Sequence, residues 1–242
     1  MMALMIMAAI IITSAVPALA AFQYDKNITE YFLDSSSILG PSSDRGIHMY
    51  GMPGKISNVK SSNKSVAKIL NYGNTDNKYN YFHSSPTALK NRKDSYISYQ
   101  VKKPGSSTIS FKVGSKTYKS KIKILKYVNP LSSLTITGFN DGKSFHKKFN
   151  QATDIDLEVK KSVSNAKLTV KAKKGWVITG LSVSDQSHQY LDHDYKNARS
   201  SMSLKHIRLR KGNGTSDNYT SIGIELMNKS NGGMIYLSLY LD

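Results

Sequence analysis

His188, Asp192, His193 and Asp194, with Asp185 just before them, form the densest group of metal-capable side chains in the sequence. Neutral imidazole and carboxylate are zinc ligands, and three of them around an open fourth position would generate a hydrolytic water. The spacing departs from the helical HExxH pattern, and residues 185–201 contain no glutamate to act as general base. A zinc hydrolase built on His188 and His193 is therefore the lesser reading, and a solvated loop the better one. Asp154, Asp156 and Glu158 share one face if their segment is a strand. Calcium, however, draws its oxygens from a loop that wraps the ion, so this row reads as a solvated face. No Gly-x-Ser-x-Gly elbow, phosphate loop or dinucleotide fingerprint occurs. The expectation is a protein that is not an enzyme, with no catalytic residue, metal or cofactor.

Two other groups suit binding rather than bond making. Residues 71–83 combine asparagines with Tyr72, Tyr79, Tyr81 and Phe82. Sugars are held by ring stacking plus such hydrogen bonds, and loops on a rigid scaffold are where binding residues sit. The alternative is that the rings pack beneath their own loop. In residues 116–124, Tyr118, Ser120, Ile122 and Ile124 fall on one side of a strand and Lys119, Lys121 and Lys123 on the other. Residues 167–173 repeat the device, with Leu168, Val170 and Ala172 opposite Lys167, Lys171 and Lys173. Such rows offer a surface to anionic polymers, namely wall polymer, acidic glycan or lipid headgroups. The competing reading is solubility and protection of sheet edges, a common use of lysine.

These residues are positioned by short, turn-separated strands. The first half reads as strands at 28–33, 46–52, 55–60, 66–72, 96–102, 108–113 and 116–127, the second at 134–139, 154–160, 167–173, 176–184, 202–210, 220–227 and 234–240. Pro53-Gly54, Pro104-Gly105, Gly114-Ser115 and Lys174-Gly175 supply turn geometry between them. In the last hairpin Ile222, Ile224 and Leu226 answer Ile235, Leu237 and Leu239. No sustained helical period occurs, so each half reads as a β-sandwich, with the joint at 127–130. Trp176, the single tryptophan, reads as core rather than as a ligand platform.

The chain carries 34 Lys and Arg against 16 Asp and Glu, a net charge of +18. Both halves contribute, and arginine occurs only at positions 45, 92, 199, 208 and 210, so the cationic character is mostly that of lysine point charges. No basic recognition helix or RNP-like aromatic strand accompanies the charge, which argues against nucleic acid as partner. The apolar stretch 1–16 is followed by Pro17 and by Ala18-Leu19-Ala20, a signal-peptidase pattern with cleavage after Ala20, although no basic residue precedes the apolar run. The alternative is an uncleaved anchor, since about twenty apolar residues can span a bilayer. With no cysteine, lipid attachment and disulfides are excluded, and the fold must stand on its core.

Val59-Lys-Ser-Ser-Asn-Lys-Ser-Val-Ala-Lys-Ile69, then Gly105-Ser-Ser-Thr-Ile-Ser-Phe111 and the closing strand 116–125, resemble the bacterial immunoglobulin-like domains of group 2 over about residues 38–127. Two features depart from that pattern: Val59 stands where tryptophan is frequent, and a long polar insertion at 71–94 replaces a short turn. The resemblance implies a non-catalytic spacer or binding module. The combined expectation is an all-β protein: a signal peptide (1–20), an immunoglobulin-like sandwich (21–127) and a second, possibly similar sandwich (128–242). It would be secreted or non-covalently cell-surface associated, without a membrane span after cleavage. It would contact anionic cell-wall polymer or glycan, or serve as a spacer that meets another surface protein.

Overall fold

The computed structural model describes residues 22–36, 39–40, 44–51, 55–74, 95–185, 190–194, 197–211 and 219–242. The leader, Tyr79, Tyr81, Phe82 and His188 lie outside the described residues. The chain is all-β and forms two sandwiches.

In the first, β1 (Gln23–Tyr24), β3 (Asp44–Tyr50), β6 (Ser95–Val101) and β5 (Ala67–Asn74) make one sheet in that order. The facing sheet runs β2 (Asn27–Phe32), β8 (Lys116–Lys126), β7 (Gly105–Val113), β4 (Ile56–Ser61). This is the A-B-E-D and A′-G-F-C order of an immunoglobulin sandwich, with β2 parallel to β8. Alternation dictates it: in β6 every second residue is buried, and β7 closes Ile109, Phe111 and Val113 into the core while Lys112 stays out. Ile47, Ile97, Tyr99, Ile122 and Ile124 complete the packing, each apolar side chain contributing about 1.5–3 kcal/mol on burial.

The Ser-Ser-Asn turn folds as its residue types require. Asn63 Oδ1 accepts from the Ser65 amide at 3.2 Å, Ser62 Oγ accepts from the Thr108 amide at 2.8 Å, and Ser61 Oγ meets Ser107 Oγ at 2.9 Å. Val66 then re-enters the core and Ile69 packs against it, while Leu70 turns outward. Gly105 sits at φ 147°, and a Cβ there would lie 2.7 Å from Val66 Cγ2, so only glycine fits.

The second sandwich pairs β9 (Leu131–Ile136), β11 (Val163–Ala172) and β14 (Ser201–Leu209) in the order β14-β11-β9. The facing sheet contains β10 (Asp154–Leu157), β16 (Met234–Leu241), β15 (Thr220–Asn228), β12 (Trp176–Asp185) and β13 (Tyr190–Asp194), in that order. That is A-B-E against A′-G-F-C-C′, again with the A′-like strand β10 parallel to the last. The final hairpin pairs Ile222 with Leu239, Ile224 with Leu237 and Leu226 with Ile235. Two short 3-10 turns, Asn140–Gly142 and His146–Asn150, follow β9. Phe145 and Phe149 from this region are buried in the core.

Several boundaries differ from the sequence reading. β9 begins at Leu131, because that side chain is fully buried, and ends before Asn140 and Asp141, which turn at φ 50° and 51°. β10 stops at Leu157, after which the Val159 amide bonds to the Asp242 carbonyl. β11 starts earlier than 167, through register shifts opposite His206 at φ 63°. β1 and β13 are additional: one is two residues long, the other lacks an alternating apolar pattern.

Tyr31, Leu39 and Tyr127 belong to the second core, not the first. Tyr31 meets Trp176 at 5.4 Å between ring centroids, Ser36 Oγ meets Thr153 Oγ1 at 2.8 Å, and the Tyr127 hydroxyl donates to the Phe149 carbonyl at 2.7 Å. Asn129, buried at the joint, donates to the His146 carbonyl and to Asn150 Oδ1, both at 2.9 Å, and accepts from the Leu131 amide at 2.9 Å. The connection is thus an interlocked seam.

Candidate binding faces

The β8 lysine row lies on the outer face of the β2-β8-β7-β4 sheet: Lys119, Lys121 and Lys123 are exposed, while Ser120, Ile122 and Ile124 are buried behind them. The register sets polar neighbours on both flanks. Lys121 lies between Asn27 and Thr108, Lys123 between Thr29 and Ser106, and Lys119 faces Ser110. Together with Ser62, the residues around Lys121 and Lys123 line a shallow groove of about 530 Å³. Ammonium groups repeat every second residue, about 6.6–6.8 Å apart along the strand. Hydroxyls and an amide beside each charge supply hydrogen-bond donors for anionic oxygens. Such a groove can hold an extended chain bearing regularly spaced phosphate or carboxylate groups.

Tyr72 is 42% exposed on β5, next to Leu70, also 42% exposed. It belongs to the opposite sheet from the lysine row, so the structure does not bring Tyr72 together with Lys119, Lys121 and Lys123. In the second sandwich Lys167, Lys171 and Lys173 are exposed, and Lys173 Nζ donates to the Asn129 carbonyl at 2.9 Å. Trp176 is buried against Tyr31.

Asp192, His193 and Asp194 belong to β13, paired with β12 through Val183↔Asp192, Ser182↔His193 and Leu181↔Asp194. The segment expected as a loop is here a strand. Among the described residues no three His, Asp or Glu side chains converge to hold a metal ion. Asp156 and Glu158 are exposed and Asp154 is half-buried, accepting a bond from Thr153 Oγ1 at 2.8 Å.

Two polar arrangements escaped sequence reasoning. Inside the first sandwich the Tyr99 hydroxyl donates to Glu30 Oε1 at 3.0 Å, and Arg45 Nε stands 3.1 Å from Glu30 Oε2. Burial raises the Glu30 carboxyl above its usual range, against the opposing pull of Arg45 and the Tyr99 bond. Burial and the Glu30 charge raise the Tyr99 phenol as well. In the second sandwich Ser144 Oγ lies 2.8 Å from His146 Nδ1, and burial, Lys173 and Lys147 lower the imidazole pKa. That pair has the hydrogen bond of a nucleophile and its base, and a Ser-x-His spacing was its one sequence signal. The Ser144 hydroxyl also accepts from the Leu134 amide at 2.9 Å, which makes the pair a turn-fastening arrangement.

No family model matches the chain, and no curated protein matches its sequence. Solved structures similar in strand arrangement include domains 5–6 of the S-layer protein SbsC, 12% identical with a TM-score of 0.29, covering 90% of this chain and 95% of that one. The D0–D1 domain of intimin is 9% identical with a TM-score of 0.27, covering 92% and 97%. A tandem of titin immunoglobulin domains is 8% identical with a TM-score of 0.22, covering 91% and 95%. Among the described residues no helix is long and apolar enough to cross a membrane.

Proposed function

We propose that the chain is an exported, non-catalytic binding or adhesion module of a bacterial cell surface, made of a cleaved leader (1–20) and two sandwiches (21–127 and 128–242). It holds an anionic wall polymer or glycan along the outer face of β8. The observation that carries this reading is the exposed row of Lys119, Lys121 and Lys123, each flanked by polar residues of β2 or β7, with Lys121 and Lys123 lining one groove. The leader supports export. Tyr72, exposed on the other sheet, offers a separate glycan contact.

The test is retention on purified cell walls. Replacing Lys119, Lys121 and Lys123 by Gln is expected to reduce retention at least tenfold at about 0.05 M salt, and wild-type retention is expected to fall steeply by about 0.5 M as screening shortens to a few ångströms. Retention indifferent to both salt and the triple substitution overturns the electrostatic reading. A second reading, a spacer that meets another surface protein, is favoured by the interlocked seam around Tyr31 and Trp176, which would fix the distance between the two ends. It predicts capture of one defined protein partner with no wall or glycan binding.

A further inference from the structure

The charge of the second sandwich is sorted by sheet. Of the 242 residues 34 are Lys or Arg, yet β10, β12, β13, β15 and β16 contain none, and on the outer face of that sheet Asp154 and Asp156 stand beside Ser238 and Tyr240, and Glu225 beside Tyr236. The opposite sheet, β9, β11 and β14, contains no Asp or Glu and carries Lys167, Lys171, Lys205 and Arg208, all exposed. One slab therefore has an acidic face and a basic face, back to back.

The acidic face is also built for contact. Tyr236 and Met234 are 43% and 46% exposed there, although large hydrophobic side chains mostly point inward in this chain. Tyrosine and methionine are enriched and lysine depleted at protein interfaces. The face is flat at its centre because Gly223 lets the Tyr236 ring lie across β15. A Cβ at Gly223 would stand 2.2 Å from the Tyr236 hydroxyl oxygen and 2.8 Å from Ser182 Oγ. Beside this platform Asp156, Asp242, Tyr219 and Tyr240 line a hollow of about 350 Å³, with the two rings edge-on at 5.8 Å. Two carboxylates and two aromatic rings around one hollow form a socket for an ammonium or guanidinium group. Within the chain, the first sandwich meets the second through Tyr31, Trp176 and the β15–β16 turn, away from both sheet faces.

We infer that copies of this chain stack through the second sandwich, the acidic tyrosine-bearing face of one on the basic β9-β11-β14 face of the next, with a Lys or Arg of the basic face entering the socket at Asp156 and Tyr240. The occupant is a second copy because the surface of complementary charge, with Lys167, Lys171, Lys205 and Arg208 exposed, lies on the other side of the same slab. Unlike patches in contact make the interface heterologous, so it extends into a row rather than closing as a dimer. Three strands at about 4.8 Å spacing give the smaller face a width of only about 14 Å, which places the contact among weak, reversible interfaces. The net charge of +18 opposes association at very low salt, and screening weakens the facing pairs at high salt, so stacking is strongest near 0.1 M, where the Debye length is about 10 Å. The β8 lysine face takes no part, so this inference stands apart from wall-polymer binding.

Sedimentation of the full chain at about 0.1 M salt and tens to hundreds of micromolar is expected to give a weight-average mass that rises with concentration to at least twice the 26.8 kDa of one chain, falling back to one chain at about 0.5 M. Asp156→Lys alone, an exposed position that should not disturb folding, is expected to lower association at least fivefold, and Lys167→Glu with Lys171→Glu to do the same. Mixing the two variants sets an intact acidic face against an intact basic one, and the two reversed faces are again opposite in charge, so the mixture should regain association that neither variant shows alone. A wild-type mass independent of concentration, association unchanged in both variants, or a mixture that stays at single-chain mass overturns the inference. Lys119, Lys121 and Lys123 changed to Gln should stack normally while losing wall retention, which separates failure of this inference from failure of the binding reading.

Discussion

Glu30 comes from β2, Arg45 and Tyr99 from the opposing sheet, and the three meet inside the first sandwich at 3.0–3.1 Å. Because burial makes Glu30 a weaker acid folded than unfolded, the folded chain binds that proton more readily. Its contribution to stability is fully present below the unfolded value and lost as pH rises through the folded one. Urea unfolding across the interval just above pH 4.5 should show wild-type stability declining relative to Glu30→Gln, and parallel curves would contradict the assignment. Tyr99→Phe deprives a buried carboxylate of its donor and is expected to cost about 1–3 kcal/mol at neutral pH. Gly105→Ala forces a methyl against Val66 at a left-handed φ, with an expected loss of about 1–3 kcal/mol; an unchanged urea midpoint would show that the turn relaxes freely. The lysine row was legible residue by residue because a strand's period of two needs only local sequence. The Glu30 cluster was not, because its members are far apart in the chain and meet only through sheet packing.

Most strands were legible as elements, since alternating burial in β6, β7, β8 and β15–β16 is written directly in the sequence. β13 was read as loop because Tyr-Leu-Asp-His-Asp carries no apolar alternation; what holds it is pairing with β12. The seam was only half legible: residues 127–130 stood out by their proline, but nothing local showed that Tyr31 of β2 would seat against Trp176 of β12. The seam has a thermal consequence. Wild-type protein is expected to unfold in one calorimetric transition, and Tyr31→Ala, which removes a 3% exposed ring from the second core, should split it in two or lower it by several degrees. A single unshifted transition would mean that the seam is thermodynamically idle.

At the scale of the whole molecule, net charge hides a more specific arrangement. Composition told of a cationic protein, but only the sheet order reveals that basic residues are excluded from one five-stranded face and gathered on the face behind it. A formal +18 thus coexists with a surface on which the exposed Asp156 and the half-buried Glu225 carry negative charge, a pattern that total charge could never disclose.

In each sandwich the A′-like strand runs parallel to the last one, β2 beside β8 and β10 beside β16. A pull on the two ends of either unit therefore drags neighbouring strands past one another lengthwise, loading their hydrogen bonds all at once instead of peeling them singly. A protein tethered at one end and gripped at the other would resist tearing until that whole zip of bonds gives way together.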